Sequence, residues 1–142
     1  MKIIISNNIL PTFIMNYKLL VLAIILFPLV DYIYLSNISS HFSNVILRIT
    51  KEPMVFNFPK AIGAYIFLIL GIYYFILKDL NENNYKQKIK DAVILGLVIY
   101  GTFDFTTGAV FKGYDYNTML IDTVWGGVVY GLVTYLVYKL NF

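Results

Sequence analysis

Cysteine is absent from this chain, and histidine occurs once, at His41. The lack of cysteine excludes disulfide frameworks, thiolate metal sites and cysteine nucleophiles. The single histidine excludes a metal centre built from several imidazoles. We therefore expect no metal site and no cofactor.

Charge is also scarce, because only 13% of the 142 residues are charged while 59% are hydrophobic. Soluble domains are about one quarter charged, and a soluble chain of this length has too small an interior to hide so much apolar surface. The excess hydrophobic surface is therefore expected to face lipid. The net charge of +3 does not indicate nucleic acid, since the basic residues flank apolar runs and form no patch of their own.

Four apolar stretches approach the length of about 20 residues that a helix needs to cross a bilayer. The predicted spans are residues 19–35, 56–77, 92–111 and 119–138. They predict an all-α integral membrane bundle of four transmembrane helices, residues 17–142, preceded by an N-terminal tail, residues 1–16. Residues 36–60 are predicted to connect the first two helices at the membrane interface, residues 78–91 to form a solvated loop or helix start, and residues 112–118 to form a short turn at Gly113.

The distribution of basic residues predicts the orientation, because positively charged loops stay on the cytoplasmic side. Seven lysines lie on the side of the two termini: Lys2, Lys18, Lys78, Lys86, Lys88, Lys90 and Lys139. Four basic residues lie on the opposite side: Arg48, Lys51, Lys60 and Lys112. Both termini are therefore predicted to be cytoplasmic.

Three aspartates lie inside the predicted spans, where a carboxylate is costly and usually faces the bundle interior. At about 1.5 Å per residue, Asp31 and Asp104 each lie about 18 Å from the start of their helices. Asp122 lies about one turn into a helix that enters from the opposite side. All three carboxylates can therefore meet in one layer in the outer half of the membrane.

Aromatic and hydroxyl side chains lie about one helical turn from each acid, and residues three or four apart share a helix face. The predicted pocket comprises Asp31, Tyr34, Tyr100, Asp104, Thr107, Asp122 and Trp125. Apart from Lys60 at the start of the second span, the spans contain no lysine or arginine that would neutralise the acids, which leaves protonation, a captured cation or a basic group from the outer loops. Each acid also has a structural alternative: helix capping for Asp122, a headgroup-level position for Asp31, and hydrogen bonding within the bundle for Asp104.

Gly127 and Gly131 have the GxxxG spacing that permits close helix contact. This contact can lie within the bundle or between copies of the chain, so a homo-oligomer through these glycines is one expectation.

Three segments resemble the predicted membrane proteins classified as domain of unknown function 2177. That family has an Asp followed by Trp-Leu at the end of the first span, YxTYDLTN in the third and DxxWG opening the fourth. This chain has DYIYL at 31–35, YGTFDFTT at 100–107 and DTVWG at 122–126. The similarity extends over residues 17–140 and includes all three aspartates, although Tyr34, Phe103 and Thr107 replace Trp, Tyr and Asn. It implies a small four-span membrane protein and no established activity.

Three functional hypotheses follow from these features. In the first, the acidic pocket binds a proton, a cation or a polar lipid headgroup in a transport-like role. In the second, the protein is a lipid-modifying enzyme that uses an aspartate as general acid or base. In the third, the acids and glycines serve only packing or partner binding. No nucleophile motif or phosphate-binding loop supports catalysis, so whether the protein is an enzyme is left open.

Overall fold

The computed structural model describes residues 16–142 as four long helices. Their bounds are α1 Tyr17–Thr50, α2 Phe58–Phe75, α3 Tyr85–Val110 and α4 Tyr116–Asn141, with a 3₁₀ turn at Leu77–Asp79 after α2. All four are long and apolar enough to cross a membrane. The predicted all-α bundle of four transmembrane helices is thereby confirmed. The predicted tail lies outside the described residues except for Asn16.

The first helix is about twice as long as the predicted span of residues 19–35. Its 34 residues extend about 50 Å, well beyond a hydrocarbon core of about 30 Å. The prediction of a connection over residues 36–60 is therefore wrong, because helix α1 continues to Thr50 and only residues 51–57 connect it to α2. Hydropathy predicts where the apolar stretch ends. A helix can continue beyond that point into polar sequence, and hydropathy does not show this.

Local hydrogen bonds and packing explain why α1 continues through this polar sequence. Ser36 and Asn37 both donate to the carbonyl oxygen of Ile33, at 3.0 and 2.6 Å, so the helix itself satisfies these two polar side chains. Further along, Val45 is buried in a small cluster with Tyr114 and Met119. The C-terminal part of α1 is thus packed against the connection between α3 and α4.

We call the side of the bundle that holds the connections 51–57 and 111–115 the loop side, and the opposite side the termini side. At the loop side, Asp115 caps α4 by accepting a 3.0 Å hydrogen bond from the Thr118 backbone N–H. Arg48 of α1 pairs with the same carboxylate at 2.6 Å. These partners, the Thr118 N–H foremost, hold the pKa of Asp115 below its usual value. Gly113 forms the predicted turn with a positive φ of 98°.

Helices α3 and α4 form the tightest pair in the bundle because glycines face each other across their interface. A Cβ atom added to Gly96 would lie 2.0 Å from the carbonyl oxygen of Gly126, which only glycine at this position avoids. Gly127 and Gly131 are also buried, against Leu97 and Val93 of α3. In the described part of the chain, the GxxxG glycines therefore serve contact within the bundle.

Candidate functional site

Asp31 of α1 lies at a junction of three helices and is only 6% exposed. Its Oδ2 atom accepts a 2.7 Å hydrogen bond from the Tyr65 hydroxyl of α2. Its Oδ1 atom accepts a 2.8 Å hydrogen bond from the Trp125 indole N–H of α4. Two donors at charge-assisted distances can stabilise an ionised carboxylate without a counter-ion.

Tyr34 connects this junction to the next acid. Its ring stacks on the indole of Trp125, with centroids 4.2 Å apart and planes 7° from parallel. Its hydroxyl donates to the Oδ1 atom of Asp122 at 3.1 Å. Tyr34 lies one turn beyond Asp31 on α1, and Asp122 lies one turn before Trp125 on α4. The antiparallel helices thus pair an acid with an aromatic residue twice in succession.

Asp104 of α3 is fully buried, with 0% exposure. Its Oδ1 atom accepts a 2.7 Å hydrogen bond from the hydroxyl of Tyr114, which lies in the loop-side turn. Its Oδ2 atom lies 3.5 Å from the Thr123 hydroxyl. Because Thr123 follows Asp122 in the chain, this contact places Asp104 beside the segment of α4 that carries Asp122. We call the set of Asp31, Tyr34, Tyr65, Asp104, Tyr114, Asp122, Thr123 and Trp125 the acid layer.

The structure brings five of the seven sequence-predicted residues into this network and leaves two outside its hydrogen bonds. The Tyr100 ring packs at the position of Gly126, where an added Cβ would lie 2.4 Å from its Cγ atom. Within residues 16–142, no hydrogen bond joins the Tyr100 hydroxyl to a carboxylate. The Thr107 hydroxyl donates to the Phe103 carbonyl oxygen of its own helix at 2.7 Å, so it does not reach Asp104.

Sequence reasoning missed three members of the acid layer: Tyr65, Tyr114 and Thr123. Tyr65 lies in a span without acids, so nothing on its own helix marked it. The signal that could have identified Tyr65 is its depth in the membrane, since it lies about 10 Å along α2 from the loop side. Tyr114 has the position of an interfacial anchor in the turn, but its ring is turned inward and is only 8% exposed.

Arg48 and His41, on the loop side, have partners outside the acid layer and do not contact its three carboxylates. Arg48 pairs with Asp115, and the Nε2 atom of His41 lies 2.8 Å from the Thr118 hydroxyl. Both salt bridges found among residues 16–142 lie outside the acid layer. In the same part of the chain, no group of three acidic or histidine side chains converges closely enough to hold a metal ion. The hydrogen bonds that the three carboxylates accept in the described residues therefore come from hydroxyl and indole groups.

The hydrogen bonds that the carboxylates accept bear on whether the acid layer can bind a cation or a proton. Every buried side-chain nitrogen and oxygen in the described residues has a hydrogen-bond partner. Hydrogen-bond donors that point at the carboxylate oxygens present partial positive charge to an incoming cation, but they do not prevent two carboxyl groups from sharing a proton.

The comparisons with known proteins identify a family and no activity. Residues 16–140 match the model of a family described as predicted membrane protein, DUF2177. This match confirms the resemblance seen in the motifs around the three aspartates. No curated protein and no solved structure shows significant similarity to the chain.

Proposed function

The chain belongs to the DUF2177 family of predicted membrane proteins, and we propose that it binds and releases a proton within the membrane in a transport-like role. The observation that carries this proposal is the position of Asp104 on α3 beside the segment of α4 that carries Asp122, with a 3.5 Å contact to Thr123, in a layer without a lysine or arginine. Two ionised carboxylates on facing helices in a poorly hydrated site repel each other strongly. One proton shared between them removes that repulsion.

A row of polar side chains between α1 and α4 supports a route between this pair and the loop side. Asp122 is partly exposed, and Thr118 lies one turn from it along α4. The Thr118 hydroxyl lies beside His41 and donates to Asp115, which pairs with Arg48 at the surface. Between Asp122 and the loop side, the interface of α1 and α4 therefore contains polar side chains and is not continuously apolar.

A proton is favoured over a metal cation by the chemistry of the neighbours. Tyr34, Tyr65, Tyr114 and Trp125 all donate hydrogen bonds to the carboxylates. A cation would have to coordinate carboxylate oxygens beside the hydroxyl and indole hydrogens of these donors, which carry partial positive charge. A proton on the carboxyl pair leaves all four hydrogen bonds in place.

Infrared spectroscopy of the purified protein tests this proposal directly, because a protonated carboxyl group has a carbonyl band separate from that of a carboxylate. We expect such a band at neutral pH in the wild type. We expect Asp104→Asn and Asp122→Asn each to remove it, since either change leaves a single acid that the remaining donors stabilise. Asp91→Asn, on the same helix as Asp104 but outside the acid layer, should leave it unchanged. A wild type without the band would refute the shared proton.

The proposed orientation places the acid layer nearer the outer face of the membrane. It rests on the excess of lysine at the termini side. The natural absence of cysteine allows single cysteines at Lys51 and Lys86 to report it. With both termini cytoplasmic, an impermeant maleimide should label Lys51→Cys in intact cells and Lys86→Cys only after permeabilisation. The opposite labelling pattern would invert the orientation and place the acid layer nearer the cytoplasm.

A further inference from the structure

An apolar groove of about 590 Å³ runs between α1 and α2, apart from the carboxylates of the acid layer. Its walls include Leu20, Ile24 and Pro28 of α1 and Ile62, Tyr65 and Ile66 of α2. A volume of this size is within the range of about 300–1,000 Å³ that small-molecule sites occupy. The groove is therefore large enough for part of a ligand and not merely a packing defect.

The groove opens sideways toward the surrounding membrane. Ile24, Ile62 and Ile66 line it and are 49%, 46% and 59% exposed, so the described chain leaves them partly uncovered. These residues belong to transmembrane helices and face an environment of hydrocarbon chains. An occupant can therefore enter from the bilayer without crossing a polar barrier.

Among the wall residues that the structure describes, Tyr65 supplies the only polar side chain, and its hydroxyl is already directed to Asp31. The rest of the wall presents isoleucine, leucine, phenylalanine, alanine and proline side chains. Such a surface selects a hydrocarbon segment and excludes a headgroup, since a buried polar group without partners is strongly disfavoured. Hydrophobicity alone does not favour the groove over the bilayer, because free lipid tails are as apolar as the groove. The shape of the groove must therefore provide the preference for a bound hydrocarbon chain.

We propose that this groove binds one hydrocarbon chain of a membrane lipid, held between α1 and α2 with Tyr65 in its wall. This site goes beyond the proposed proton function and does not depend on it. The two are linked through one hydrogen bond, because the same tyrosine that contacts the chain stabilises Asp31.

A photoreactive phospholipid tests the proposal in the full-length protein. The probe is phosphatidylcholine with a diazirine in one acyl chain, incorporated in phosphatidylcholine vesicles, and mass spectrometry maps the crosslinked peptides. We expect crosslinks to concentrate severalfold on the α1 and α2 segments of the groove compared with the lipid-facing surface of α3. Even labelling around the bundle would overturn the site and show only ordinary contact with bulk lipid.

A matched pair of variants separates groove occupancy from general effects of a bulky side chain. Ile66→Trp fills the groove and should reduce crosslinking there severalfold. Ile94→Trp, at a residue of α3 outside the groove with almost the same exposure of 60% against 59%, should not reduce it. Equal crosslinking in both variants would contradict the proposal.

Tyr65→Phe distinguishes this proposal from the proton function. It keeps the aromatic wall and removes the hydroxyl that donates to Asp31. Crosslinking in the groove should persist in this variant. Loss of crosslinking in Tyr65→Phe, with folding intact, would overturn a site built on shape alone, whereas a missing carboxyl band in the wild type would affect only the proton proposal.

Discussion

Asp104→Asn is expected to reduce proton movement through the reconstituted protein by roughly a hundredfold, the lower range for removing a positioned proton-transfer group. Asparagine has nearly the same shape as aspartate, and its carbonyl oxygen can still accept the hydrogen bond from Tyr114. It cannot bind and release a proton near neutral pH. The variant therefore tests protonation with little change in packing. The measurement is the decay of an imposed pH gradient in vesicles that contain a trapped pH-sensitive dye.

The matched control is Asp91→Asn, which makes the same chemical change on the same helix. Asp91 accepts a hydrogen bond from the exposed side chain of Gln87 and lies outside the acid layer. We expect the wild-type rate in this variant. A wild-type rate in folded Asp104→Asn would rule out the transport-like role.

Two further readouts separate this role from the other hypotheses. If Asp104→Asn lowers the rate only in proportion to the fraction of folded protein, the acids serve packing. This outcome would also appear as a lower unfolding temperature. If the membrane lipids of expressing cells change with the wild type and not with Asp104→Asn, the activity is that of a lipid-modifying enzyme. The three hypotheses thus give different results for one substitution.

The membrane fold is the part that the sequence predicts well. Hydropathy and length determine that four helices cross the bilayer, because backbone groups in lipid must be hydrogen-bonded within helices. Counting residues at the helical rise places Asp31, Asp104 and Asp122 at similar depths. In the structure, Tyr34 and Trp125 connect Asp31 with Asp122, and Asp104 lies against Thr123, the next residue of α4.

The missed features depend on neighbours that are distant in sequence. Tyr65 donates to an acid 34 positions earlier in the chain, and no pattern on α2 indicates that partner. Thr107 is the opposite case, a residue that the sequence predicts and the structure leaves out of the network. Its spacing from Asp104 fits a shared helix face, but its hydroxyl donates to the carbonyl oxygen of Phe103. Threonine in a helix commonly bonds to the preceding turn in this way. Spacing in the sequence therefore identifies side chains that could reach an aspartate. The side-chain rotamer then determines whether each one does.

The acid layer and the glycine contact belong to the same helix pair, which makes the proton proposal depend on close packing. Gly126 lies one turn beyond Asp122 on α4 and faces Gly96 of α3. Because Asp104 and Asp122 lie on the two helices of this interface, the distance between the helices controls the separation of their carboxyl groups. A change at the glycines should thus disturb the site without altering any acid.

Gly96→Ala is the substitution for which we expect the largest loss of stability. The added Cβ atom would lie 2.0 Å from the Gly126 carbonyl oxygen and 2.6 Å from its carbonyl carbon. Backbone atoms cannot rotate away as a side chain can, so α3 and α4 must separate. We expect a cost at or above the upper end of the roughly 1–3 kcal/mol seen for overpacking. The midpoint of unfolding in a denaturing detergent series measures it.

Gly63→Ala provides the control, because a Cβ atom at Gly63 of α2 meets no atom within 4 Å. Alanine is the better helix former, so this variant should gain about 0.5–1 kcal/mol. The two substitutions are chemically identical and differ only in what the new methyl group meets. If both variants unfold at the same midpoint, the helices are not held at the distance described. If Gly96→Ala also removes the protonated carboxyl band while it remains folded, helix separation controls the shared proton.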